Sequence, residues 1–172
     1  MAKIQGKTLA GMLGSSAAAA TLLATLTMYE GKKNVGYKDP AGIPTKCMGD
    51  TKDVVVGKFY SDEQCRASLE GQAISHLSGV LRCTPKINGM QLLAAGSFAY
   101  NVGETAYCKG LIAKRFNAGD IKGGCAAFTQ TYVDKKTGKR LIAYSTARGI
   151  PLRGLVIRRQ SERALCEQDL KK

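Results

Sequence analysis

From Thr8 to Met28 the chain runs for 21 residues without a charged side chain, and this stretch limits what the rest can become. Wound as one helix it is roughly 31 Å long, about the hydrocarbon thickness of a bilayer. Its five Leu and two Met are diluted by six Ala, four Thr, two Ser and two Gly, so insertion into lipid is marginal. Three environments suit it: an uncleaved membrane anchor, a cleaved export signal, or the interior of a helical protein. Lys3 and Lys7 form the positive flank that export requires, and Ala17 to Ala20 offer small-residue cleavage sites. However, Gly11, Gly14, Ser15 and Ser16 break the apolar run before those alanines, and Leu22, Leu23 and Leu26 continue beyond them. An uncleaved anchor over residues 1–28, followed by a second unit over 29–172, is the expected organisation.

Six cysteines accompany one histidine, His76, and none of them form a C-x-x-C pair. That pattern argues against a Cys/His zinc site and for disulfides, which place the folded protein outside the cytoplasm. Lys plus Arg number 26 against 13 Asp plus Glu, a formal charge of +13, so a polyanion is the natural partner. The basic residues are dispersed, and no helix-turn-helix or aromatic RNA-binding motif is present, which argues against nucleic acid.

Past the leader, residues 34–56 read as a small β-hairpin sheet. Asp39-Pro40-Ala41-Gly42 suits a type I turn, and Ile43-Pro44-Thr45 and Val54-Val55-Val56 supply apolar strand residues. From Ser61 the pattern is helical to about Arg82, opened by a Ser61/Gln64 capping box. Residues 89–102 are apolar on nearly every side, the mark of a helix in the middle of a bundle. Thr105–Asn117, Asp120–Thr129 and Gly154–Leu170 read as further helices, and the Lys135–Arg140 run as an exposed turn.

Eight residues separate Glu30 from Asp39 and five separate Asp39 from Thr45, around Gly31, Tyr37, Gly42 and Gly49. This spacing resembles the phage-type lysozymes of glycoside hydrolase family 24. Phe98-Ala99-Tyr100-Asn101-Val102-Gly103 resembles their central-helix motif. Gly154-Leu155, Arg158-Arg159, Glu162 and Cys166 resemble their C-terminal helix. The resemblance implies a mainly α lysozyme fold: a helical bundle with a small β-hairpin lobe and, here, an N-terminal apolar helix. It also implies cleavage of the β-1,4 bond between N-acetylmuramic acid and N-acetylglucosamine, with inversion. No cofactor is implied. The residue types suit that chemistry, because glycoside cleavage needs an acid for the leaving oxygen and a positioned water on the opposite face. Glu30, ending an apolar helix, fits the acid, while Asp39 and the Thr45 hydroxyl fit the water. Tyr100 and Asn101 resemble cleft residues that hold the sugar ring and its N-acetyl group.

The leader resembles the weak anchors of signal-arrest-release endolysins. The expected partners are therefore peptidoglycan and, before release, the host inner membrane, with the released enzyme a monomer in the periplasm. Lytic transglycosylation of the same bond, and a non-catalytic cationic protein acting on membranes or nucleic acid, are the alternatives. Among the cysteines, Cys83 and Cys108 flank the central helix. Cys125 with Cys166 would tie the last helices together, leaving Cys47 with Cys65, although 15 connectivities stay open. On an extended strand Cys47 shares a face with Thr45. Asp50 stands where many family members have histidine, and His76 reads as a surface residue.

Overall fold

The structure is a computed structural model that describes residues 8–147 and 150–171. The uncharged leader is not one helix. It forms α1 (Leu9–Leu13) and α2 (Ser16–Glu30), divided at Gly14, whose φ of 81° is left-handed. Thr8 and Ser15 each cap the helix that follows by accepting a backbone N–H. Gly14 therefore ends one helix while Ser15 starts the next, where the sequence suggested 21 continuous residues. Roughly 22 Å long, α2 is shorter than a bilayer core, and no helix among the described residues is long and apolar enough to cross a membrane. Instead Leu9, Leu13, Leu22 and Leu26 are buried in the same core as the rest of the protein. Residue 28 lies within α2, whose last residue is Glu30.

Gly31 (φ 68°) turns the chain out of α2 into β1 (Lys33–Lys38), which pairs antiparallel with β2 (Pro44–Cys47). The turn is the expected one: Gly42 N–H donates to the Asp39 carbonyl, and Gly42 takes a left-handed φ of 83°. Val54 to Val56 form no strand, contrary to the sequence reading. They lie in a loop that runs over Gly36, where the Val55 carbonyl approaches so closely that any Cβ would collide with it.

The body begins at α3 (Asp62–Cys83), whose Ser61/Gln64 capping box is formed as expected. At its centre is α4 (Gly89–Val102), with Leu92 to Ala99 buried without interruption. It packs against α2, α3 and α8 (Arg153–Cys166), and at Gly96 a Cβ would collide with Leu77 of α3. The expected helix over 105–117 is two, α5 (Glu104–Lys109) and α6 (Leu111–Asn117), because Gly110 sits against the Ala106 and Tyr107 carbonyls. After α7 (Ile121–Ala127), the basic 135–140 run is the tip of a hairpin that the sequence did not reveal, β3 (Thr131–Val133) with β4 (Arg140–Ile142). A shorter pair, β5 (Thr146–Ala147) and β6 (Ile150–Pro151), leads into α8. That last helix ends at Cys166 rather than near 170, and a 3-10 turn follows.

Disulfides join Cys47 to Cys65, Cys83 to Cys108 and Cys125 to Cys166. They tie the hairpin to α3, α3 to α5, and α7 to α8. Cys47 is not extended: its φ of 55° turns the chain, so the face-sharing expected with Thr45 does not follow from strand geometry.

Burial of α2 predicts a measurable cost for loosening it. Leu26→Ala should lower the unfolding free energy by about 2–5 kcal/mol in denaturant titrations. Ala24→Ser, on the exposed side of the same helix, should change it by no more than about 0.5 kcal/mol. Equal costs would mean that the helix is not seated in the core.

Candidate active site

The expected site residues fall at the end of α2, on the β1–β2 hairpin and at the end of α4. Glu30 ends α2 with its side chain one quarter exposed, and its Oε1 accepts from Arg158 Nη1 at 2.7 Å. Arg158 is almost wholly buried. Its Nη2 donates to the Ser97 carbonyl (3.0 Å), its Nε donates to Glu162 (3.3 Å), and its guanidinium lies over the Tyr29 ring. Glu30, Tyr29, Asn101, Leu152, Leu155 and Arg158 are among the residues that line a cleft of about 460 Å³.

Asp39 and Thr45 stand on the hairpin and are not part of that lining. The Asp39 Oδ1 accepts from the Ala41 and Ile43 N–H groups at 2.9 and 2.8 Å. The Ile43 carbonyl accepts from both the Asp39 N–H and the Thr45 hydroxyl at 2.9 Å, so one peptide group holds the two residues together. Thr45 pairs with Tyr37 across the hairpin. By strand alternation Asp39 and Thr45 then share a face as diagonal neighbours.

Tyr100 and Asn101 have different surroundings. Asn101 lines the cleft, where its Oδ1 accepts from Arg159 Nη2 at 3.1 Å. Tyr100, also on α4, is half-buried. Its hydroxyl donates to the Met48 carbonyl (3.0 Å) and lies 3.1 Å from the Gln72 side-chain oxygen. Burial raises the pKa of that hydroxyl well above the usual tyrosine value; the nearby charges of Glu30 and Asp50 add to the shift and Arg158 opposes it. Tyr100 thus ties the end of the hairpin to the helical body. His76 is not a surface residue, since it is half-buried with its ring 4.9 Å from that of Tyr100. Burial lowers its pKa, and the charges of Glu104 and Glu30 work the other way. Asp50, found where a histidine is common, accepts a hydrogen bond from Ser68 and another from the Lys52 N–H, and pairs with Lys46. Burial alone would raise its pKa, but these contacts outweigh burial and lower it.

The residues least visible from sequence are the buried polar ones. Arg159 and Glu162 are fully buried, and Arg159 lies over the Phe98 ring. Glu162 Oε1 accepts from Arg159 Nη2 (2.9 Å) and from the Ser97 hydroxyl (2.9 Å). Arg159 Nε stands 2.9 Å from Glu162 Oε2 as an ion pair outside hydrogen-bond geometry. The available signal was the spacing of Arg158, Arg159 and Glu162, which puts opposite charges on one helix face. A solvated face would read the same way. One trio with metal-ligand spacing occurs among the described residues, Cys83, Glu104 and Cys108, and its sulfurs form a disulfide.

A helical body with a hairpin lobe, and a carboxylate held by a buried arginine at the end of α2, is the arrangement that known glycoside hydrolases of the lysozyme class can be compared with. The sequence profile of the phage lysozyme family matches residues 27–162. An endolysin of Acyrthosiphon pisum secondary endosymbiont phage 1 is 32% identical over 147 residues, covering 84% of this chain and 94% of its own. A SAR-endolysin of bacteriophage PS119 is 29% identical over 170 residues, covering 95% and 93%. The active form of the P1 phage endolysin superposes with a TM-score of 0.72 at 24% identity, covering 91% of this chain and 85% of that one. A P22 lysozyme mutant gives 0.70 at 22% identity, covering 85% and 94%. The chain belongs to the phage lysozyme family.

The lowered pKa values of Asp50 and His76 have a definite sign. Each group is more reluctant to take a proton when folded, so its contribution to stability is present above its ordinary pKa and is lost as pH falls through the folded value. Glu162, pushed up to about 7 by burial, has the opposite sign and adds stability as pH falls through that value. Comparing the parent with His76→Phe in a thermal melt series isolates the histidine: the parent should lose more melting temperature than the variant between about pH 7 and about pH 5, with the loss from Asp50 following at lower pH in both. Equal changes in parent and variant across the first interval would contradict the assignment.

Proposed function

We propose that this protein is a muramidase endolysin. It hydrolyses the β-1,4 bond between N-acetylmuramic acid and N-acetylglucosamine in peptidoglycan and so lyses the host cell for phage release. One observation carries the reading: a carboxylate, Glu30, is fixed in an open cleft by a buried arginine, beside a hairpin that holds Asp39 and Thr45 together. Glu30 delivers a proton to the leaving glycosidic oxygen. Asp39 and the Thr45 hydroxyl hold a water for attack on the opposite face of the sugar, which inverts the anomeric carbon. Asn101 meets the substrate within the cleft, and Tyr100, whose hydroxyl is held by Met48 and Gln72, offers its ring as the second sugar contact. Two carboxyl groups and a water complete this chemistry, so no cofactor enters it.

The leader gives the enzyme its location. Residues 1–28 hold it in the host inner membrane facing the periplasm, and release lets α1 and α2 dock on residues 29–172 as a monomer. The names of the SAR-endolysin relatives support this sequence of events. So does the burial of four leader leucines, each worth about 1.5–3 kcal/mol when removed from solvent. The +13 charge draws the enzyme toward an anionic cell wall.

Glu30→Gln should abolish clearing of permeabilised cells, with Asp39→Asn losing at least about a hundredfold, while charge-driven binding to cell walls is unchanged. Mass spectrometry of the parent's products should show reducing muramic ends. Anhydromuramic ends would replace hydrolysis with transglycosylation, and a lytic Glu30→Gln variant would remove the site. Fractionation should find the full-length chain in the membrane, moving to the periplasm when the membrane potential is collapsed. A mature chain beginning after Ala20 would make the leader an ordinary cleaved signal.

A further inference from the structure

We propose that Glu162 is a positioning residue for the reaction: this one buried carboxylate aligns Arg158 and Arg159 so that the first sets Glu30 and the second sets Asn101. The inference rests on the reading of Glu30 as the acid and Asn101 as a sugar contact. Its geometry is continuous. Glu162 Oε1 accepts from Arg158 Nε, Arg159 Nη2 and the Ser97 hydroxyl. Arg158 then presents Nη1 to Glu30, and Arg159 divides Nη2 between Glu162 and Asn101. Two guanidinium groups adjacent in sequence and buried together repel each other, and the carboxylate three and four residues further along α8 lies on the face they share.

The arrangement assigns separate tasks to the two arms. With Oε1 of Glu30 accepting from Arg158, the proton to be delivered belongs on Oε2, which fixes the direction of transfer. The Asn101 oxygen accepts from Arg159, which leaves its NH2 group to face the ligand as a donor. Glu162 touches neither substrate nor the reacting atoms. Burial pushes its pKa up to about 7 against the opposing pull of Arg159 and Arg158, so the same contacts that hold the arms are the ones that favour its charged form. Phe98 under Arg159 and Tyr29 under Arg158 keep each guanidinium plane in place.

The test is steady-state kinetics on soluble peptidoglycan fragments, with folding checked by circular dichroism and melting temperature. Arg159→Lys cannot bridge Glu162 and Asn101 with one planar group. It should raise KM by about three- to tenfold and leave kcat within about twofold. Glu162→Gln keeps the shape but removes the charge, and should lower kcat by at least about tenfold while also raising KM. Ile112→Ala, in the core of α6 and away from the network, should lower the melting temperature without changing either constant below the melt. A folded Glu162→Gln variant with kcat within about twofold of the parent would overturn the proposal. If that variant does not fold, Arg159→Lys decides alone: a fall in kcat with unchanged KM overturns the division of tasks. Glu30→Gln, run in parallel, separates the two failures. If it stays active, the assignment of the acid is wrong, whereas an inactive Glu30→Gln beside a normal Glu162→Gln removes only the positioning role.

Discussion

The contact between Arg158 and Glu30 joins the last helix of the chain to the end of the first long one, and the architecture depends on it. Arg158 reaches Glu30 only because α8 packs along α4 and because Ser97 and Glu162 take up its other donors. A guanidinium this deeply buried is tolerated when every arm has a partner, and removing one partner of such a pair costs about 3–5 kcal/mol. The carboxylate proposed as the acid is therefore also a structural tie. Its position is set from beneath by the helical body, and not by the short turn at Gly31 that follows it.

The weakly apolar leader is seated in the same body. A segment rich in Ala, Thr, Ser and Gly is a poor membrane span, but its small side chains let α2 lie close against α3 and α4 while four leucines fill the core. Gly14 is the residue that allows it: its left-handed backbone breaks the run so that α1 can fold back beside α2. On the proposed reading, docking the leader and placing Glu30 are one event, because Glu30 is the last residue of the docked helix. A carboxylate at the end of a helix held elsewhere cannot reach Arg158.

Much of this was legible in the sequence where a local rule and a tertiary requirement coincide. The all-round apolar character of 89–102 gave the central helix with its bounds, and the Ser61/Gln64 box marked the start of α3. The Asp-Pro-Ala-Gly tetrad gave the hairpin turn, and the spacing of Glu30, Asp39 and Thr45 carried the resemblance to the family. What was not legible depends on contacts distant in sequence. Val54 to Val56 have strand composition, but they find no partner strand because Gly36 accepts their backbone as a loop. Gly110 divides a helix for lack of space against two carbonyls, which no periodicity records. The β3–β4 hairpin is hidden by its own lysine-rich tip. Arg158, Arg159 and Glu162 stood out as a family motif, but their burial and their contacts with Ser97, Asn101 and Glu30 follow only from the packing of α8 against α4. Likewise, the pairing of six cysteines needed the fold to choose among 15 connectivities.

The central claim, that Glu30 is held by the body through a buried arginine, is tested most directly by a double-mutant cycle on unfolding free energy. The variants are Glu30→Gln, Arg158→Met and the two combined, each titrated with denaturant. The account predicts that Glu30→Gln destabilises the protein and that the coupling between the two positions exceeds about 1 kcal/mol. A stabilised Glu30→Gln variant, or costs that simply add, would show that Glu30 is not held in this way.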